Sequence, residues 1–197
     1  MNSQPKRRLE DRPLLRDHPL ALRLSLVLWA LGGFVFAALA IPVLADVVQS
    51  VDNRIYEAMV DLEAAIPVAI AEALDFIGST WVTAPLMIAV AAFLIVRRRW
   101  EALIFWTLAM VGSQLLIGPV KNLYERARPP MPLVETTGFS FPSGHSVAGA
   151  AIAVALVIVL VPAGPRRRNL EMLAAAFAVV MAMSRVSLRA HWLSDVA

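Results

Sequence analysis

The chain has 197 residues, of which 59% are hydrophobic and only 17% charged, with a net charge of +3. So low a charged fraction, against roughly 25% in soluble globular domains, gathered in clusters between uncharged runs, excludes an ordinary water-facing surface and makes the bilayer the main solvent. Cysteine is absent, which excludes disulfides, thiolate zinc sites and cysteine nucleophiles, and the basic residues lack the interleaved aromatics of a single-strand groove, so no nucleic acid partner is expected.

Residues 1–20 carry Lys6, Arg7, Arg8, Arg12 and Arg16 among three prolines and read as a basic cytoplasmic tail. From Ala21 to Ala45 only Arg23 and Ser25 interrupt an apolar run. That length fits the roughly 20 residues of a membrane span and exceeds the roughly 7–15 apolar residues of a cleaved signal core. A retained first span is expected. Residues 46–79 hold Asp46, Asp52, Glu57, Asp61, Glu63, Glu72 and Asp75 against Arg54 alone. Val47, Val51, Ile55, Met59 and Leu62 recur at helical spacing there, which predicts an amphipathic helix lying at the membrane surface and broken at Pro67. A solvated connector and a lid that selects substrate are alternative readings of this segment.

Further spans are predicted at 81–96, 100–120, 144–161 and 170–184, with a Pro-rich loop between the third and fourth. Arg97–Arg99 and Arg166–Arg168 punctuate them. With the N-terminus inside, five spans put the tail and both arginine turns on the cytoplasmic side, as the positive-inside rule requires. The acidic segment, the Pro-rich loop and the C-terminal segment then lie outside. The expected fold class is all-α, a polytopic transmembrane helical bundle over 21–197.

Three polar clusters fall at the outer ends of these spans. Lys121 and Arg128 are seven residues apart, nearly two helical turns, so one helix face could carry both, together with Gln114; two cations snorkelling to the interface is the plainer alternative. Pro142-Ser143-Gly144-His145 directly precedes an apolar helix. A helix N-terminus offers free N–H groups to an anion, Gly144 lets that anion approach the backbone, and Ser143 could equally be a simple N-cap. His191 and Asp195 follow Ser184-Arg185 and, four apart, would be neighbours on a helix. A carboxylate on one imidazole nitrogen leaves the other free to attack. A surface ion pair, or a metal site, would use the same residue types, but Lys121, Arg128 and Arg185 would repel a cation. Arg126 and Arg189 are read as flanking charges near lipid headgroups.

Taken together, Lys121 with Arg128-Pro129, then Pro142 to His145, then Ser184-Arg185 with His191 and Asp195, resemble the three signature stretches of the type 2 phosphatidic acid phosphatase superfamily, which also includes the vanadium haloperoxidases. Each stretch alone would be a weak motif; the ordered set is not. The resemblance implies His191 as nucleophile forming a phosphohistidine, Asp195 orienting it, and His145 as general acid and then base. It implies Lys121, Arg128, Ser143, Gly144 and Arg185 as holders of the phosphate oxygens, with no metal and no cofactor. The implied partners are a membrane lipid phosphate and the bilayer, and the implied activity is a lipid phosphate phosphatase at the outer face of the cytoplasmic membrane. Its substrate would be of the phosphatidic acid, phosphatidylglycerol phosphate or undecaprenyl diphosphate type. A phosphotransferase with the same intermediate and a non-enzymatic lipid-phosphate-binding protein are the rival readings. In the family a sixth span follows the third stretch, so the chain is expected to stop short of it, with five spans of six.

Overall fold

Backbone placed in hydrocarbon must satisfy its own N–H and C=O groups, so the uncharged runs form helices. A computed structural model describes residues 19–61 and 68–197; the basic tail, His18 and the break expected at Pro67 lie outside the described residues. Helices run α1 Pro19–Ala40, α2 Pro42–Asp61, α3 Val68–Gly78, α4 Thr80–Val96, α5 Trp100–Tyr124, α6 Gly144–Leu160 and α7 Pro165–Ser187, and a single 3-10 turn follows at Leu193–Asp195. There is no strand among the described residues. All five predicted spans appear as apolar helices, α1, α4, α5, α6 and α7, but the first stops at Ala40, short of the predicted Ala45, and residues 42–45 open α2. By length and composition α5 and α7 can each cross a membrane. Ala30–Ala40 with α2, and α3 with α4, pass the same test as pairs bent by 114° and 45°, and α6 is a shorter apolar helix of 17 residues.

α6 lies between α5 and α7. Its buried residues Ser146, Gly149, Ile152, Ala155 and Val159 advance in steps of three and four, one side of the helix. Ile152, Ala155 and Val159 pack with Val90 and Leu94 of α4 and with Trp106 and Met110 of α5. Small residues bring the backbones close: a Cβ added at Gly149 would stand 3.2 Å from the Met181 side chain of α7. The outer surface is apolar instead, with Trp81, Ile88, Leu108, Leu115 and Leu123 all exposed. That inversion suits lipid as solvent.

The acidic segment departs from the simple surface helix that its pattern predicts. It forms two helices, and α2 is turned inside out relative to a water-facing one. Val47 and Val51 are exposed, while Asp52 is only 2% accessible. An apolar stripe can face outward when the outside is bilayer, which frees the polar stripe to dock inward. At α7 the helix begins five residues before the expected span, so Arg166–Arg168 lie in its first turn. Cations there oppose the helix dipole; Arg167 is offset by its ion pair with Glu171 at 2.8 Å.

The four-residue link from α6 to α7 makes these helices antiparallel. The C-terminal end of α5, the N-terminus of α6 and the C-terminal end of α7 therefore meet at one end of the bundle, and the arginine turns lie at the other.

Candidate active site

Lys121 lies in the last turn of α5, but Arg128 is not on that helix. α5 stops at Tyr124 because Glu125 adopts a left-handed conformation, φ 44°, and its N–H closes on the Lys121 carbonyl. Arg128 precedes proline, a position that disfavours helix, and it reaches the site from the loop. The shared helix face expected for Gln114, Lys121 and Arg128 does not form, and Gln114 is exposed. The two cations meet instead through the loop backbone. Lys121 Nζ donates to the Phe139 carbonyl, and Arg128 donates to the carbonyls of Thr137 (2.7 Å), Gly138 (2.9 Å) and Ala190 (2.8 Å).

Arg128 Nη1 also lies 3.2 Å from His191 Nε2. A guanidinium can only donate, so the ring nitrogen facing it carries the lone pair, and the proton sits on Nδ1. Nδ1 faces Asp195 Oδ2 at 3.5 Å, a long contact, and has no other partner. This is the tautomer a nucleophile at Nε2 requires. The juxtaposition does not come from a helix, as spacing alone suggests. α7 ends at Ser187, Arg189 turns the chain with φ 54°, and Asp195 returns in the 3-10 turn. Asp195 is fixed from several sides: Oδ2 accepts from the Trp192 amide (2.8 Å) and from the Ser140 hydroxyl, and Oδ1 accepts from Arg126 (2.7 Å). Burial lowers the His191 imidazole to about 4, against the raising influence of Asp195. Burial pushes Asp195 upward, but His191, Arg126 and Ser140 outweigh it and hold its carboxyl below the usual range.

Ser143 caps α6. Its hydroxyl oxygen accepts from the Ser146 amide at 3.4 Å and the Ser146 hydroxyl at 3.0 Å, and its side chain is fully buried. Its own amide donates to the Asp195 carbonyl at 2.9 Å, which stitches the second signature stretch to the third. A Cβ at Gly144 would meet nothing within 4 Å, so the backbone of the first turn borders open space. His145 follows in that turn. Arg185, 2% accessible, comes from the last turn of α7.

Three further residues complete the site. Asp75 of α3 pairs with Arg185 Nη1 and stands 3.3 Å from His145 Nε2. Gly78, at the end of α3, makes room for the ring: a Cβ there would lie 2.6 Å from His145 Cδ2. Arg126, read from sequence as a bystander at the headgroups, is instead at the centre of a buried network. It donates to Asp195 and Ser194 (2.6 Å) through Nη1, and to Asp52 (2.6 Å) and Gln49 (2.8 Å) through Nη2. Asp52 also accepts from the Ser194 amide at 2.9 Å. Gln49, Asp52 and Tyr56 form one face of α2, and Tyr56 donates to the Pro130 carbonyl at 3.0 Å. Arg189, the other presumed bystander, is also buried. Asp52 and Asp75 were two of seven acids in one segment, and their spacing did not single them out.

Residues 102–197 match the PAP2 superfamily model. Over 168 residues the chain is 30% identical to phosphatidylglycerophosphatase B of Bacillus subtilis (strain 168), a match covering 82% of each protein. The chain belongs to the PAP2 superfamily, as its three signature stretches led us to expect, and is a multi-pass membrane protein. Its fold is similar to the crystal structure of a transmembrane PAP2-type phosphatidylglycerolphosphate phosphatase from Bacillus subtilis, with a TM-score of 0.72 and 29% identity over 88% of this chain and 86% of that one. Aquifex aeolicus LpxE shares the fold at a TM-score of 0.55 and 21% identity, over 71% of this chain and 84% of that one. α2 and α3, which supply Asp52 and Asp75, precede the stretch matched by the family model.

Proposed function

We propose that the chain is a lipid phosphate phosphatase working through a phosphohistidine on His191. The observation that carries this reading is the His191 imidazole, its Nδ1 turned to Asp195 and its Nε2 to Arg128. Kinship with a phosphatidylglycerophosphatase supports a substrate of the phosphatidylglycerol phosphate type. Phosphoryl transfer asks mainly for positioning and charge stabilisation. Lys121, Arg128, Arg185 and the backbone amide of Gly144, beside Ser143, would supply both to the phosphate oxygens without a metal. The Nε2 lone pair attacks phosphorus, the bond to the lipid oxygen breaks, and His145 gives that oxygen its proton. His145 then takes a proton from water, whose oxygen attacks phosphorus and displaces His191.

The arginine turns at the opposite end support a site on the outer face of the cytoplasmic membrane, where the phosphate is reached while the lipid tail stays in the bilayer. His191→Ala, purified in detergent, should lose phosphate release by a factor of about 10³ or more. The parent protein should retain activity in a metal chelator and form an acid-labile, base-stable phosphoprotein during turnover. Phosphate release by His191→Ala at the parent rate would sink the mechanism.

A further inference from the structure

We propose that Asp75 is a placeholder, a carboxylate that occupies the position of a phosphate oxygen until a lipid phosphate displaces it. The inference rests on the reading of the site as a phosphate site. One oxygen, Asp75 Oδ1, touches both the Arg185 guanidinium and the His145 imidazole. These two groups come from different helices, and the proposed chemistry needs both on one phosphate. Asp75 does not satisfy them fully. It takes only Nη1 of Arg185, and Arg185 Nε is buried with no hydrogen-bond partner. A carboxylate engaged on the Nη1 edge leaves that donor orphaned, because Nε–H points to the other edge of the guanidinium, where a tetrahedral phosphate can take Nε and Nη2 together in the bidentate mode arginine favours.

Accessibility points the same way. Asp75 has a side chain 29% accessible, while that of Arg185 is 3%. The acid therefore sits at the mouth with the arginine behind it. α3 meets α4 at the 45° break by Gly78 and Ser79, so the carboxylate is carried on a separate short helix. The functional consequence concerns the surroundings of the site. A membrane is crowded with phosphodiester headgroups, each singly charged and with two free oxygens. A terminal phosphate carries about −1.5 to −2 charges and three acceptor oxygens. A placeholder divides the affinity of every competitor by the same factor. The ratio between ligands is unchanged, and what falls is occupancy, so a weakly bound phosphodiester leaves the site held by Asp75.

The test compares inhibition of the full chain in detergent micelles by inorganic phosphate at pH 8 and by phosphatidylglycerol, a phosphodiester. In Asp75→Asn and Asp75→Ala both inhibition constants should fall together, by about tenfold. Unchanged constants with a lowered kcat would overturn the proposal in favour of Asp75 as a positioning residue for His145. A fall for phosphate much larger than for phosphatidylglycerol would overturn it in favour of simple charge repulsion. Hydrogen exchange on the unmutated chain needs no variant to fold: phosphate should speed exchange in 68–78, and slowed or unchanged exchange there overturns the placeholder. If phosphate binds neither protein, the phosphate site itself fails with it; if phosphate binds both equally, only the placeholder does.

Discussion

His191 is deeply buried, and its environment keeps it neutral. An exposed imidazole titrates near 6.5, whereas burial takes this one to about 4. Between those values the unfolded chain binds the extra proton and the folded chain does not, so this residue's contribution makes stability rise with pH from about 4 to about 6.5. It is lost as pH falls back through that window. Nitrogen-15 NMR of histidine-labelled protein should show the His191 imidazole neutral at pH 5.5. In Asp195→Asn it should stay neutral to still lower pH, because Asp195 raises it. A His191 resonance titrating near 6.5 would contradict the buried geometry. At this scale the sequence was legible wherever a residue belonged to a signature stretch. It was silent on Arg126, Asp52 and Asp75, because a charge's partner lies far away along the chain and nothing local marks it.

α2 is held by polar contacts at the very place where its apolar face was expected to do the work. Gln49 and Asp52 grip Arg126, and Arg126 grips Asp195, so a helix outside the matched family stretch is wired to the carboxylate behind His191. Removing the arginine leaves two buried carboxylates without their cation, which typically costs about 3–5 kcal/mol. Arg126→Ala should therefore lower the unfolding free energy in detergent by that amount and expose α2 to protease. Asp52→Asn, which keeps an acceptor, should cost about 1–3 kcal/mol. A loss below about 1 kcal/mol for Arg126→Ala would mean the network is not formed. The helices themselves were readable from their apolar runs, but their ends were not. Arg128 and His191 had seemed to lie on helices; a left-handed Glu125 and a left-handed Arg189 send them into loops, and helical spacing cannot register such a turn.

For the whole molecule, the two ends of the bundle differ in chemistry, and the absence of cysteine makes their sidedness measurable. Glu135→Cys, on the exposed loop at the site end, should react with a membrane-impermeant maleimide added outside intact cells, and Arg97→Cys, at the opposite end, only after the membrane is opened. The reverse pattern would place the site inside. That end also holds the break between α3 and α4, and a turn of α3 there would make it a lever that draws Val68 and Ala71 away from Leu188 and Ala190. Asp75 stands three residues from Gly78, about 4.5 Å along the axis, and Val68 about 15 Å, at 1.5 Å per residue. A rotation of about 30° at the break carries Asp75 roughly 2 Å, enough to break its contact with Arg185, and swings Val68 through about 8 Å. His145 does not ride on the lever, since its ring rests at the pivot beside Gly78. The smallest motion would thus fall at His145 and Arg185 and the largest at the end farthest from them, where a spin label or fluorophore at Val68 would read the exchange of one anion for another.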